Sequence, residues 1–303
     1  MNRYAAWASA LWLLVAPTVA RAWFESSEVG PRALALGGAF VSVADDPSAV
    51  YWNPAGLVQM RRHEVLLSLD RTTDLPELQN SFAAGVFHAA PVVVGVGWQH
   101  ASLDGAATED VWSLSVAATP VRRSLGAFLA GGATLKLGRV GIDAGSLGAL
   151  PGLAASDFGV AADLGLLVAP IPNVSLGVTW RNLGEPTFDL YEGGSSTRLE
   201  REVEWGASLR WRRDGWLHFA RVRHPGGSTS TRAGVEMRVA GPLGVRLGVG
   251  SDAVSGGVDV RVGRWTIDTA YRAHEALGTT YRVGVRLAFG SVRGGVGGEY
   301  DEF

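Results

Sequence analysis

The chain has 303 residues, a formal net charge of −2, 41 glycines and no cysteine. The balanced charge argues against a nucleic-acid-binding domain, and the lack of cysteine excludes disulfides, thiolate metal sites and a cysteine nucleophile. Hydrophobic residues make up 47% of the chain, yet after the N-terminal region no apolar run reaches the ~20 residues that a membrane helix needs. Such a composition predicts strands, which carry apolar residues at alternate positions.

Residues 1–22 are typical of a secretory signal peptide. Arg3 supplies a positive charge, Leu11–Ala20 forms an apolar core, and Ala20-Arg21-Ala22 has the small-x-small pattern of a cleavage site. The core is too short for a membrane anchor. We therefore expect export and cleavage near Ala22, which leaves a mature chain that begins at Trp23.

The segment Trp23–Arg62 differs from the rest of the chain and is predicted to form a small separate unit. Asp46 can cap a short helix that has Pro47 at its first position, and Asn53-Pro54 would end that helix. Gly37-Gly38 permits a close approach of the backbone to a neighbouring wall. Asp45 and Asp46 are better explained by capping and solvation than by a metal site.

From His63 to Phe289, apolar residues alternate with polar or small ones in segments near the ~9–11 residues of a barrel strand. In the last segment, for example, Tyr281, Val283 and Val285 face one way. Fourteen strands are predicted, near His63–Arg71, Asn80–His88, Val92–Ser102, Asp110–Thr119, Leu125–Gly138, Ser156–Leu167, Val174–Arg181, Glu202–Arg212, Gly215–Arg223, Ser230–Val239, Leu243–Gly250, Val254–Val262, Trp265–Arg272 and Thr279–Phe289.

The connections between these strands distinguish a membrane barrel from a soluble sandwich. Tight turns rich in proline and glycine alternate with longer loops, notably Arg139–Ala155 and Asn182–Arg201. Short periplasmic turns opposite longer outer loops are the pattern of outer-membrane barrels, and so is an even strand number. The sequence therefore predicts an all-β fold, a 14-stranded antiparallel transmembrane β-barrel over residues 63–289.

Aromatic and charged residues support this prediction. Two girdles are expected at the strand ends, one of Trp211, Trp216, Trp265 and Phe289, the other of Trp98, Trp112, Trp180, Trp205, Tyr271 and Tyr281. The first strands place small groups inward, and the last seven place arginines and acids there. Those charges either select permeants or brace the interior as ion-pair ladders, and the alternation of acids and arginines across neighbouring strands favours bracing.

The segment before the barrel resembles the N-terminal hatch of outer-membrane proteins in the FadL (long-chain fatty acid transporter) superfamily, and within it most closely the PorV/PorQ-like branch. The resemblance implies a plug inside the lumen, and fourteen strands alone would leave a leak. It is carried by Gly30, Gly37, Gly38, Ala39, Phe40, Asp45, Asp46, Asn53, Pro54, Ala55 and Gly56.

The resemblance also indicates where a ligand would enter. The two long loops occupy the positions of the ligand-gathering loops of the fatty acid transporters, but they are much shorter. They offer Leu147, Leu150, Leu153, Phe188 and Tyr191, which form either a small apolar cleft or loops packed on each other. The inward glycines Gly95 and Gly97 of the third strand are candidates for the exit.

No catalytic motif, metal-ligand spacing or cofactor fingerprint is recognisable, so we expect neither an enzyme nor a resident cofactor. The resemblance implies passive transport of small hydrophobic molecules across the bacterial outer membrane, in contact with outer-membrane lipid. The alternative is a PorV-like barrel that docks secreted or surface proteins within an assembly machine. Residues 290–303 are predicted to form a periplasmic tail, unless Phe303 rather than Phe289 ends the closing strand.

Overall fold

A closed barrel of fourteen antiparallel strands forms the body of the protein. The computed structural model describes residues 28–103, 107–122, 127–142, 156–189, 196–274 and 278–290. Each barrel strand pairs with its neighbours in the chain, and the first strand closes the ring against the last through a register that runs from His63↔Phe289 to Thr72↔Thr280. The predicted fourteen-stranded antiparallel barrel is confirmed.

Fourteen long strands and one short two-stranded ribbon make up the sheet structure. The barrel strands are β1 (His63–Thr72), β2 (Leu78–Ala89), β3 (Val92–Leu103), β4 (Ala107–Arg122), β5 (Phe128–Ile142), β6 (Ser156–Ile171), β7 (Val174–Leu183), β10 (Glu202–Arg212), β11 (Gly215–Arg223), β12 (Thr229–Ala240), β13 (Leu243–Val249), β14 (Ala253–Val262), β15 (Trp265–His274) and β16 (Gly278–Phe289). The ribbon consists of β8 (Thr187–Phe188) and β9 (Thr197–Arg198), between β7 and β10.

The predicted strands agree with the observed ones to within two residues at each end, except for β4, β5 and β6. Strand β4 begins at Ala107 rather than Asp110, and β5 runs from Phe128 to Ile142 rather than from Leu125 to Gly138. Strand β4 continues through Pro120 and β6 through Pro170, where turns were predicted. In both places the pairing register shifts, between Ala118 and Val121 in β4 and between Val168 and Ile171 in β6. Proline cannot donate to the ladder and is tolerated in a sheet at such irregularities. The end of the barrel that holds Phe289 is called the turn end below, and the opposite end, with the ribbon, the loop end.

A band of apolar side chains surrounds the outside of the barrel, as a lipid-facing wall requires. Alternate residues such as Leu67, Leu69, Val283 and Val285 are exposed, whereas their neighbours in the strands point inward. The prediction that Trp216 belongs to a girdle is wrong. Trp216 shares the inward side of β11 with His218, and the two rings stack with an interplanar angle of 12°.

Residues 28–62, called the N-terminal segment, form three short helices. These are α1 (Pro31–Ala35), α2 (Ala49–Trp52) and the 3-10 helix η1 (Pro54–Gln59). Helix α1 contacts β13–β16, and η1 contacts β3–β6 on the other half of the ring. The segment is buried almost throughout, so it packs against inward-facing residues on both halves of the barrel.

The local chemistry of this segment differs in one detail from the prediction. Helix α2 begins at Ala49 rather than Pro47, and Asp46 accepts a hydrogen bond from the Ser48 amide (2.9 Å) before the helix starts. Asn53 is extended and ends α2, and its side chain accepts from the Ala55 amide to begin η1 (3.1 Å). Asn53 thus lies between the two helices, and the end of α2 at the Asn53-Pro54 step agrees with the prediction.

Candidate functional site

The half of the wall formed by β3–β7 receives the N-terminal segment on residues without bulky side chains. A Cβ atom on Gly95 would lie 2.6 Å from Val50 Cγ1, and one on Gly132 would lie 2.5 Å from the backbone of Pro54 and Ala55. Hydroxyl groups complete the contact, since Thr179 Oγ1 donates to the Trp52 carbonyl at 3.0 Å. The small inward residues therefore make room for the segment.

The other half of the wall carries a buried network of arginines and acids. Arg246 on β13 contacts Glu236 on β12 (3.2 Å), Asp268 on β15 (2.8 Å) and Asp259 on β14. Arg286 on β16 reaches the second oxygen of Asp268 at 3.2 Å. Both arginines are thus paired with acids on other strands, which supports the bracing interpretation of the inward charges.

Two charged residues of the N-terminal segment join this network. Arg32 binds Glu236 at 2.6 Å and also Asp45. Glu28 binds Arg232 at 2.7 Å and also Arg272. Burial alone would raise the pKa of the Glu28 carboxyl, but Arg232 and Arg272 outweigh it and lower the pKa to about 2. Glu28 is therefore a carboxylate at neutral pH, and it ties the segment to β12 and β15.

A polar cavity of about 450 Å³ lies at the loop end, above the N-terminal segment. Its floor includes Glu28, Gly37 and Tyr51, and its walls carry Arg181, Glu200, Glu202, His224, Pro225, Ser230, Arg232, Gly250, Ser251, Asp252, Ala253, Arg272 and His274. The charges on these walls are largely paired with one another, for example Arg181 with Glu202 at 3.4 Å and His224 with Glu202 at 2.9 Å. The cavity, called the vestibule below, is thus polar but carries, within the described residues, no excess of one sign of charge that is left unpaired.

Next to the vestibule lies an apolar slot that is filled by Phe188. Phe188 is 1% exposed and packs with Val140, Ala161 and Leu199. Its ring occupies the space above Gly159, where a Cβ atom would lie 2.7 Å from Phe188 Cζ. The space left beside the ring is only about 40 Å³, and the slot shares Tyr51, Arg181 and Glu202 with the vestibule.

A hydrogen bond holds the ribbon that carries Phe188 against β6. The Asp189 amide donates to Asp157 Oδ2 of β6 at 2.7 Å, and the two sides of the ribbon are joined where the Leu199 amide donates to the Pro186 carbonyl at 2.9 Å. Residues 156–161 of β6 extend beyond the part that pairs with β7, which begins at Ala162. The ribbon therefore covers the inner side of β5 and β6 at the loop end, in the part of the wall that extends beyond β7.

The residues quoted for the hatch resemblance all lie in the N-terminal segment. Gly30, Gly37 and Gly38 adopt positive φ of 80°, 66° and 80°. Phe40 packs edge-on against Trp52, and Asn53 donates to the Val41 carbonyl at 2.8 Å. The others are placed as follows: Ala39, Asp46, Pro54, Ala55 and Gly56 are buried, and Asp45 pairs with Arg32.

The residues predicted to bind a ligand are not all brought together. Leu147, Leu150, Leu153 and Tyr191 lie outside the described residues. Phe188 lies in the slot, whereas Gly95 and Gly97 lie on β3 against Val50 of α2. The pairing of β3 with both neighbours is continuous from Val93 to Leu103. The inward glycines of β3 accommodate the N-terminal segment, and the ladder beside them is unbroken.

No pattern in the sequence indicated the slot itself. Gly138 and Gly159 lie on adjacent strands and face the same ring, but they are 21 positions apart in the chain, and only the β5–β6 register (Gly138↔Gly159) brings them together. Within the described residues no cluster of three or more metal-ligating side chains occurs. In the same part of the chain, no helix has the length and apolar character to cross a membrane.

Several solved structures share this architecture. The CymD monoaromatic hydrocarbon channel superimposes with a TM-score of 0.64 at 15% identity, over 86% of this chain and 97% of that one. The Pseudomonas putida toluene transporter TodX gives 0.63 at 12% identity, over 87% and 99%. A Pseudomonas aeruginosa FadL homologue gives 0.61 at 12% identity, over 87% and 99%.

No protein-family model and no curated protein sequence matches the chain. The likeness is therefore one of fold, and it extends over nearly the whole of each channel. Assignment to the PorV/PorQ-like branch stays a prediction. The chain has the 14-stranded barrel fold of the FadL-type hydrocarbon channels.

Proposed function

We propose that the protein is a non-enzymatic transport barrel of the bacterial outer membrane that passes small hydrophobic molecules without an energy source. Three observations support this proposal: the apolar outer band, the fold shared with hydrocarbon channels, and a vestibule that adjoins an apolar slot. The signal peptide predicted over residues 1–22 would direct the chain to that membrane.

The N-terminal segment is assigned the role of a plug in this proposal. It contacts both halves of the wall, through small residues on β3–β7 and through ion pairs on β12–β16. An unfilled barrel of fourteen strands would pass water and solutes. The plug leaves the vestibule at the loop end as the place where a ligand first meets the interior.

The slot of Phe188 is the observation that carries the proposal. Gly138 and Gly159 provide no side chain there, and Val140, Ala161 and Leu199 wall the space with apolar atoms. The space thus accepts one benzene ring, which in this structure is the ring of Phe188. An aromatic ligand of the same size fits it when the ribbon moves and Phe188 leaves.

The exchange of Phe188 for a ligand has a definite energetic consequence. Exposing a buried phenylalanine costs about 1.5–3 kcal/mol, and a bound ligand ring recovers a similar amount. The ligand therefore binds against the cost of displacing Phe188, which lowers its apparent affinity. Removing the Phe188 ring removes that cost and is expected to strengthen binding roughly 10- to 100-fold.

The test is Phe188→Ala in the full chain, with fluorobenzene as the probe and fluorine NMR as the measure of binding. The matched control is Phe158→Ala, since Phe158 precedes Gly159 on β6 but is 55% exposed on the outer face. F188A should bind the probe more tightly and speed its passage into vesicles, and F158A should behave as the unchanged protein.

A second variant locates the ligand. In Phe188→Ala/Gly159→Val, the valine side chain extends into the volume that the Phe188 ring has left. We expect it to return the probe affinity toward that of the unchanged protein. Equal binding by the unchanged protein, F188A and F158A would contradict the slot as a ligand site. Tight binding that persists in the double variant would place the probe elsewhere in the barrel.

The docking alternative receives no support from the comparisons, since the similar channels named above are described by the small molecules they carry. Transport and docking still differ in a measurable way. A docking barrel would show no saturable entry of fluorobenzene into vesicles in either the unchanged protein or F188A.

A further inference from the structure

A second cavity of about 450 Å³ lies on the outside of the barrel, at the loop end of β7, β10 and β11. Strand register fixes its base, because Trp180, Val203 and Arg223 are direct neighbours across the three strands. All three lie on the outward side of their strands, in line with the exposed Trp205. The cavity therefore opens toward the membrane at the level of the aromatic girdle.

The rim of this cavity is rich in arginine. Arg198 and Arg201 are 60% and 58% exposed in their side chains, and both lie loosely around Glu185, at 3.5 and 3.7 Å. Arg223 lines the cavity, and Arg221 follows two positions below it on the same face of β11. The carboxylates of Glu185 and Glu200 line the cavity as well, so the arginines in its lining outnumber the acids by three to two.

The two arginines of β11 have few partners within the described residues. Arg221 donates to Thr229 Oγ1 at 3.0 Å. No ion pair to Arg223 is found in the described part of the chain, although the paired arginines inside the barrel each contact a carboxylate. Strand β11 thus carries an outward row of Leu217, Phe219, Arg221 and Arg223, in which apolar residues give way to arginines toward the loop end.

We infer that this outer cavity binds the phosphorylated headgroup of a lipid of the outer leaflet. A guanidinium group matches phosphate with two parallel hydrogen bonds. The aromatic rings of Trp180 and Trp205 mark the level at which headgroups meet acyl chains. The long loops of such barrels face outward, so the loop end meets the outer leaflet. A lipid can therefore place phosphate among the arginines while its chains cover Leu217 and Phe219.

Other groups around the cavity are consistent with this assignment. His224 also lines the cavity, but both of its ring nitrogens already have partners, Glu202 at 2.9 Å and Ser230 at 2.8 Å. The loop of Pro225, Gly226 and Gly227 closes one side of the cavity without adding charge. The site is thus open on the side that faces lipid and positively charged where a headgroup would lie.

The test is native mass spectrometry of the full chain in detergent, with diphosphorylated lipid A as the probe and dephosphorylated lipid A as its comparison. Two variants remove the charge: Arg221→Gln/Arg223→Gln and Arg198→Gln/Arg201→Gln. The control is Arg212→Gln/Arg264→Gln, which removes the same charge from exposed positions at the turn end. Slower migration after boiling verifies that each variant assembles.

The unchanged protein and the control should retain diphosphorylated lipid A. Each loop-end variant should bind it at least roughly tenfold more weakly. Loss of lipid in the control as well, or equal retention of dephosphorylated lipid A, would overturn the proposal. Displacement of the lipid by inorganic phosphate alone would also overturn it, because it would show an anion site without a lipid requirement. The proposal is independent of transport, since fluorobenzene binding is measured separately.

Discussion

At the scale of single residues, Arg246 is the centre of the inner ion network. Its guanidinium contacts carboxylates on three different strands, those of Glu236, Asp259 and Asp268. Arg246 is 4% exposed, and Asp259 and Asp268 are each 1% exposed. Without Arg246, buried carboxylates would lose their shared partner inside the barrel.

We expect Arg246→Met to lower the free energy of unfolding by about 3–5 kcal/mol, because removing one partner leaves uncompensated buried charge. Urea unfolding in lipid vesicles measures this change. The control is Arg264→Met at an exposed turn position, for which a change within about 0.5 kcal/mol is expected. Equal stability of the two variants would show that water rather than Arg246 satisfies the carboxylates.

Single residues also show what the sequence could and could not predict. The inward charges were predictable because alternation along a strand assigns each residue to a face, and Arg282 and Arg286 follow that rule. Trp216 follows it too, and its inward position overrides the girdle location that an aromatic residue near a strand end predicts. Phe188 was predicted as a loop residue, and its burial depends on how the ribbon folds back on β6, which local sequence does not specify.

At the scale of elements, the barrel wall has two unlike halves. Strands β3–β7 meet the N-terminal segment with glycines and hydroxyls, and β12–β16 meet it with charges. On β3–β7 the glycines let the backbone of η1 lie directly against the backbone of the wall. A side chain added at such a glycine must displace the helix.

We expect Gly132→Val to expel η1 and open an ion pathway, since its Cβ would lie 2.5 Å from the backbone of Pro54 and Ala55. Gly131→Val is the matched control, because the nearest atom to its Cβ is Leu166 Cδ2 at 3.9 Å, an ordinary contact. Single-channel recording in planar bilayers should show raised conductance for G132V alone. Closed channels in both variants would mean that the wall, rather than the helix, gives way.

The number and order of the strands are the features that the sequence predicts best. Strand number and order were predictable because each strand carries its own alternation and each turn its own glycine or proline. Two of the errors at strand ends lie at Pro120 and Pro170, because a proline predicts the end of a strand. Both prolines are accommodated by a shift in register, a property of the pair of strands rather than of either one.

At the scale of the whole molecule, the outer band fixes how the barrel sits in lipid. Val258 and Val254 lie on the same outward face of β14, with Val254 near the loop end and Val258 near the middle of the strand. Both side chains are exposed, at 43% and 58% respectively.

We expect Val258→Arg to reduce stability by about 2–4 kcal/mol and Val254→Arg by about 0–1 kcal/mol, because the cost of a charge on the lipid face depends on its depth. Reversible unfolding in vesicles gives both values. Equal costs at the two positions would refute the depth assigned to them. A protein that stays monomeric and soluble without detergent would refute the membrane barrel altogether.

The closure of the ring has a consequence for the order in which the molecule is built. Arg282 on the last strand binds Asp70 on the first, and it also donates to the Gly30 carbonyl of the N-terminal segment at 3.1 Å. One guanidinium thus joins the earliest described part of the chain to the latest. Its full set of partners exists only after the N-terminal segment has entered and the two edges have met. An assembly intermediate with an empty interior therefore lacks one bond at its final seam.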